Sequence, residues 1–179
     1  MTDAARARRS NWIAIAIWSM GGLLILVLVP PFVASLPELR ARAGGHSLHW
    51  VDWTLFANQS FVLRIHVIAV SLATILGAVI MASIKGRRFH RIAGWTWAGV
   101  VLVGALSAVA MGISSQRWNW IQLTVPFVLT LLIGAILAAR HHNVARHRAM
   151  MMWLYYSSIL GAGALTFLPG RLMWRLIFG

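Results

Sequence analysis

Runs of about twenty apolar residues separated by short basic turns constrain this chain more than any other feature. Trp12 to Leu36 is 25 residues long and carries no charge. Further apolar runs extend over Phe61 to Ile84, Ile92 to Ser114, Ile121 to Ala139 and Ala149 to Leu168, and none of them contains Asp, Glu or Lys. A helix needs about 20 residues to cross a bilayer, so the pattern predicts an all-α integral membrane protein with five transmembrane helices. The first run follows Arg6, Arg8 and Arg9. It is longer than a signal-peptide core of about 7–15 residues, and we expect a retained span whose far end is kinked by Pro30-Pro31.

Two of the turns resemble one another. Lys85 to Trp97 reads KGRRFHRIAGWTW and Arg140 to Trp153 reads RHHNVARHRAMMMW. Each delivers a His-Arg pair, His90-Arg91 and His147-Arg148, into the start of an apolar run. Spans two and three, and spans four and five, therefore read as two helical hairpins with a histidine at the same end. They enter and leave in the same sense, as parallel repeats do, and together predict a four-helix bundle over 61–172 with the N-terminal span alongside. The whole of 1–179 reads as a single transmembrane domain. Within it 12–36 is the first span and 37–59 an outer interfacial loop.

Composition agrees with a bilayer solvent: 60% of residues are apolar and 11% charged, with a mean hydropathy of +0.77. The net charge of +13 would suggest nucleic acid in a soluble domain. Here the basic residues sit between apolar runs, so no nucleic-acid partner is expected and the lipid bilayer is the first partner. Ten Lys and Arg fall on the side of the amino terminus and the His-Arg turns, six on the other. The excess belongs in the cytoplasm. That predicts a multi-pass protein of a bacterial inner membrane, with its amino terminus cytoplasmic and its carboxyl terminus outside.

The residue inventory narrows the chemistry. There is no cysteine, which excludes disulfides, thiol nucleophiles and iron–sulfur ligation. The spans hold no lysine for a Schiff base and no carboxylates for a proton relay or paired-acid hydrolysis. No phosphate-cradling glycine motif is present. Chemistry must then use His, Met, Tyr, Trp or a cofactor. His46, His49 and Asp52 at i, i+3 and i+6 share one helical face suited to a metal; an interfacial helix with Trp50, Trp53 and Phe56 in the headgroups is the plainer alternative. Small residues at Ala69, Ala73 and Gly77, and at Gly104, Ala108 and Gly112, form stripes along which helices approach closely.

His90 and His147 open spans three and five on one side of the membrane. Two neutral imidazoles facing across a bundle suit the axial positions of a haem b, a metal site formed by His90 and His147. Arg91 and Arg148, with Arg88 and Arg146, would meet its propionates. Gly94 leaves room for a ring, and Tyr155 or Ser158 would line the pocket below. The plain alternative is two solvated interface histidines. His66 lies deeper, in span two, where an ionisable group is a functional candidate. It is placed to bind a quinone oxygen, relay a proton, or hydrogen-bond a neighbouring backbone. Met150 to Met152 beside His147 also fit soft-metal handling.

The run Arg64-x-His66, then His90-Arg91-x-x-Gly94-x-x-Trp97, then His147-Arg148-x-Met150 resembles an uncharacterised family of bacterial multi-spanning membrane proteins, over about Phe61 to Leu172. More loosely the chain is similar to transmembrane b-type cytochromes of the di-haem, ascorbate-reducing class. That resemblance implies haem-based electron transfer, with a membrane redox partner or quinone; those proteins use His pairs near both faces, whereas this chain has one pair and His66 alone. A non-catalytic accessory subunit of a larger membrane complex, and a metal or small-molecule transporter, are the competing readings.

Overall fold

A computed structural model describes residues 51–115, 124–167 and 171–178, together with 33, 37 and 41. Most of the first apolar run, the His46 and His49 positions, and the turn carrying Trp118 and Trp120 lie outside the described residues. The chain divides into two compact units, Met1–Arg40 and Ala41–Gly179, and every helix from Trp53 onward belongs to the second. All regular structure in that unit is helical among the described residues.

Helix α1, Trp53–Ala57, begins where the Asp52 carboxylate accepts from the amides of Thr54 and Leu55, so this acid serves as a helix cap. Helix α2, Phe61–Ala82, is capped by Ser60 and runs for 22 residues, about 33 Å at the α-helical rise. Helix α3, Arg88–Ser115, returns after a turn in which Gly86 takes a positive φ of 80°. Both α2 and α3 are long and apolar enough to cross a membrane, and α4, Thr124–Arg140, is a shorter apolar helix. Helix α5, Val144–Trp153, starts on the Asn143 side chain, which accepts from the Arg146 amide. It runs directly into a π-helical stretch, Leu154–Gly161, and then into α6, Ala162–Leu165. The chain ends in α7, Leu172–Phe178, the near-terminal basic and aromatic segment. The amide of Asp52 donates to Leu176 O at 3.1 Å, tying the start of α1 to α7.

The α3 and α5 helices begin earlier than the apolar runs, at Arg88 and Val144 rather than Ile92 and Ala149. Hydropathy marks where the chain becomes apolar, whereas the helix starts where a side-chain cap or a tight turn allows it. His90 and His147 therefore sit inside the first turn or so of their helices.

Helix α2 packs along α3 and α4 along α5; α3 also touches α4, and the π-helical stretch touches both α2 and α4. The face that α2 buries is made of Ala69, Ala73, Gly77 and Ile80, while Ile68, Leu72, Ile75 and Val79 are exposed. Small residues inside and large apolar residues outside are the arrangement expected when the surrounding solvent is lipid. Trp97, Leu131 and Leu154 are the largest side chains with at most 1% of their surface exposed.

Trp97 fits because Gly77 lies opposite. Its indole N–H donates to Ala73 O at 2.8 Å, and the Tyr155 hydroxyl donates to Thr74 O at 2.9 Å. A Cβ at Gly77 would lie 2.7 Å from Tyr155 Cδ2 and 2.8 Å from Trp97 Nε1. Both rings are thus seated against α2 at one level, where α2, α3 and the π-helical stretch meet.

Candidate functional site

His66 lies on α2 about a turn and a half from its start, and is half-buried. Its Nδ1 is 3.0 Å from Gly104 O and 3.0 Å from Ser107 Oγ, both on α3. The Ser107 hydroxyl donates to the same Gly104 carbonyl at 2.8 Å. A carbonyl only accepts, and the serine proton is already directed at it. Nδ1 must therefore carry the hydrogen and share it between the two oxygens. The ring is held in a defined orientation, and in its neutral form Nε2 offers a lone pair to something else.

That something has a place to sit. A cavity of about 610 Å³ lies beside His66, within the size range of small-molecule sites, about 300–1,000 Å³. Leu63, Val67, Val70, Val101, Ala105, Val128 and Ile159 make most of its wall apolar. Its polar groups are few: Ser60, His66, Ser114, Thr124, Ser158, Thr166 and Arg171. Ser60, Ser114, Thr124, Thr166 and Arg171 come from helix ends opposite the two His-Arg turns, which puts the cavity at that end of the unit. Toward the middle it reaches Ala73, whose carbonyl holds Trp97.

Ser158 is the second unspent group. It is 6% exposed, and its Oγ has no hydrogen-bond partner among the described residues. Serine and threonine hydroxyls in helices ordinarily return to a carbonyl of the preceding turn. Thr74, Thr96, Thr130 and Ser157 do so here, to Val70, Ile92, Pro126 and Trp153. Ser158 sits in the π-helical stretch, a local irregularity common at functional positions, and lines the cavity instead.

The His-Arg end is arranged differently. His147 is half-buried, and its Nδ1–H donates to Ala135 O on α4 at 2.9 Å, which leaves Nε2 available. This is the bond that fixes the tautomer of many metal-ligating histidines. His90 is half-buried, with an Nδ1 that has no partner among the described residues, and it lies within electrostatic reach of His147 and Lys85. Arg91 and Arg148 are exposed. A Cβ at Gly94 would meet nothing within 4 Å. His141 and His142 are exposed in the turn between α4 and α5, where His142 adopts a left-handed φ of 54°. Tyr155 spends its hydroxyl on Thr74, and Met150 packs its thioether end against Gly134. The structure thus leaves His90 and His147 within electrostatic reach of each other at one end and His66 with the cavity at the other. Among the described residues no group of three or more His, Asp or Glu is gathered as for a metal ion.

The sequence pointed to His66 by its depth, but not to Gly104 and Ser107, which lie 38 and 41 positions away along the chain. The small-residue stripe of α3, of which Gly104 is a member, was the only signal available. Nor did anything mark Arg171 or Thr124 as lining the same cavity as His66. Residues 63–178 match the protein family described as "Predicted membrane protein (DUF2306)". No curated protein and no solved structure matches the chain.

Proposed function

We propose that this chain, which belongs to the DUF2306 family of predicted membrane proteins, binds a lipid-soluble molecule of the quinone class in the cavity beside His66. The observation that carries this reading is an apolar cavity of about 610 Å³ lined by His66 and Ser158, two polar residues with bonding capacity left over, the Ser158 Oγ being buried in the wall. His66 is fixed through Nδ1 and keeps Nε2; Ser158 keeps its whole hydroxyl. A mostly apolar pocket with a few placed polar groups suits an apolar molecule carrying one or two oxygens. In this reading spans two to five form a four-helix bundle, the N-terminal run adds a fifth span, and the protein resides in a bacterial inner membrane with the His-Arg turns cytoplasmic.

Lipids that co-purify with the protein in mild detergent can be extracted and identified by mass spectrometry, for the native chain and for His66→Phe. Enrichment of quinone-class lipids with the native chain, lost in His66→Phe, is the expected result. Equal amounts in both preparations would refute the assignment to this cavity.

A second reading is favoured by the His147–Ala135 bond, which leaves Nε2 available, and by the partnerless Nδ1 of His90 within electrostatic reach of it. His90 and His147 would hold a haem b at the cytoplasmic end, with Arg91 and Arg148 near its propionates, supplying one-electron transfer to a membrane redox partner. Purified protein would then show a Soret band that His90→Ala and His147→Ala each remove and that His141→Ala leaves intact. A colourless preparation rejects this reading, and if it also carries no quinone-class lipid the chain is better understood as an accessory subunit or transporter.

A further inference from the structure

We infer that the His66 cavity selects a ligand that donates a hydroxyl hydrogen, so that it takes the quinol or a comparable lipophilic phenol in preference to the oxidised quinone. This rests on the reading of the cavity as a quinone-class site and goes one step further, to the redox state of the molecule it holds.

Selection depends on where the imidazole hydrogen lies. Gly104 O accepts from Nδ1–H at 3.0 Å and from the Ser107 hydroxyl at 2.8 Å. Ser107 Oγ, its own hydrogen spent, accepts a share of the same Nδ1–H at 3.0 Å. Moving the hydrogen to Nε2 would place the Nδ1 lone pair against the Gly104 carbonyl oxygen, and Ser107 could meet that lone pair only by withdrawing its own hydrogen from Gly104 O. The two α3 groups therefore lock the Nδ1–H tautomer. No span supplies a carboxylate that would pair a charged imidazolium, and an unpaired charge in an apolar setting is costly.

A neutral ring in this tautomer is an acceptor toward the cavity. A quinone offers only carbonyl oxygens, so at His66 it would set lone pair against lone pair. A quinol, or any phenol, places O–H there and completes the bond. Ser158 does not discriminate, because a hydroxyl donates or accepts as its partner requires. Discrimination therefore belongs to His66, and Ser158 adds affinity for either form. A site built to bond a hydroxyl rejects the analogue that lacks it far more strongly than a site that only fits its shape.

Three molecules separate the possibilities: a short-chain benzoquinol, its quinone, and its dimethyl ether, which keeps the ring but has no O–H. Binding to the full-length protein in lipid nanodiscs is followed by tryptophan fluorescence, with anaerobic conditions for the quinol. The expected order is quinol tightest, with quinone and dimethyl ether each at least about tenfold weaker. His66→Asn provides the control that keeps the fold, since its side-chain N–H replaces Nδ1–H toward Gly104 O while Nε2 is lost. In that variant the preference for quinol should disappear and unfolding should be little changed. Ser158→Ala should weaken quinol and quinone alike.

Equal affinity for all three molecules, or a preference for the quinone, overturns the hydroxyl selection and leaves the cavity reading standing. A preference for quinol that persists unchanged in His66→Asn overturns the role given to His66. Failure of all three to bind overturns the quinone-class reading itself, and this inference with it.

Discussion

Gly77→Ala tests the packing that separates the two ends of the helical unit. A Cβ at this position would lie 2.7 Å from Tyr155 Cδ2 and 2.8 Å from Trp97 Nε1, closer than non-bonded carbon contacts allow. Neither ring retreats freely. Trp97 is 1% exposed and bonded to Ala73 O, and Tyr155 is bonded to Thr74 O on the next residue of α2. Overpacking of this kind costs about 1–3 kcal/mol. Losing both side-chain hydrogen bonds adds roughly 0.6 kcal/mol each on the scale measured between membrane helices. Replacing a mid-helix glycine by alanine returns about 1 kcal/mol. The net expectation is a loss of about 1–3 kcal/mol.

The assay is unfolding in mixed micelles by SDS, followed by circular dichroism, with Gly99→Ala as comparator. Gly99 is exposed on α3, and a Cβ there would meet nothing within 4 Å, so that change should be neutral or stabilising. The two substitutions are chemically identical, yet only Gly77→Ala should lower the midpoint. A Gly77→Ala protein that unfolds at the same SDS fraction as Gly99→Ala would show that the Trp97–Tyr155 level is not packed as described.

Gly134→Ala should cost less than Gly77→Ala in the same titration, because its Cβ would meet only the flexible end of Met150, 2.7 Å from Cε and 3.0 Å from Sδ. His142→Gly should stabilise by about 0.5–1 kcal/mol, since the residue at φ 54° caps α4 in a conformation that glycine adopts without strain; no gain in midpoint would argue against that turn geometry. A topology reporter fused after Gly179 should be active only in its extracytoplasmic form, and activity in the cytoplasm would remove the five-span arrangement.

Helix existence and the buried face of α2 were legible in the sequence, because Ala69, Ala73 and Gly77 repeat every four residues and each is buried. The depth of His66 was legible for the same reason. Its partners were not, since Gly104 and Ser107 are fixed by the register of α2 against α3, and hydropathy does not encode register. The π-helical stretch Leu154–Gly161 was also invisible. A wider turn there changes which residues share a face, so Ser158 and Ile159 reach the cavity while Tyr155 reaches Thr74. Asp52 read as one of three residues on a face suited to a metal, or as part of an interfacial helix with Trp50, Trp53 and Phe56; the structure adds that it caps α1, a role that depends on where the helix begins, while His46 and His49 lie outside the described residues.

The two bonded imidazoles share one design. His66 on α2 reaches Gly104 on α3, and His147 on α5 reaches Ala135 on α4, each through Nδ1–H to a carbonyl of its hairpin partner. One nitrogen fastens the hairpin and the other is left over, so a single substitution confuses stability with ligand binding. Side chains that keep only one of the two nitrogens' roles separate them. At His147, Phe has a similar helix propensity and shape but no donor, and should lose about 0.6–1.7 kcal/mol by SDS unfolding. Asn keeps an N–H near the Nδ1 position and should stay within about 0.5 kcal/mol of the native chain, while lacking Nε2. If His147 serves a haem, both variants abolish the Soret band although only Phe weakens the fold. If His147 is purely structural, Asn behaves as the native chain in every measurement. Should His147→Asn unfold as readily as His147→Phe, the bond to Ala135 would not be what holds α5 to α4, and packing of the ring itself would take its place.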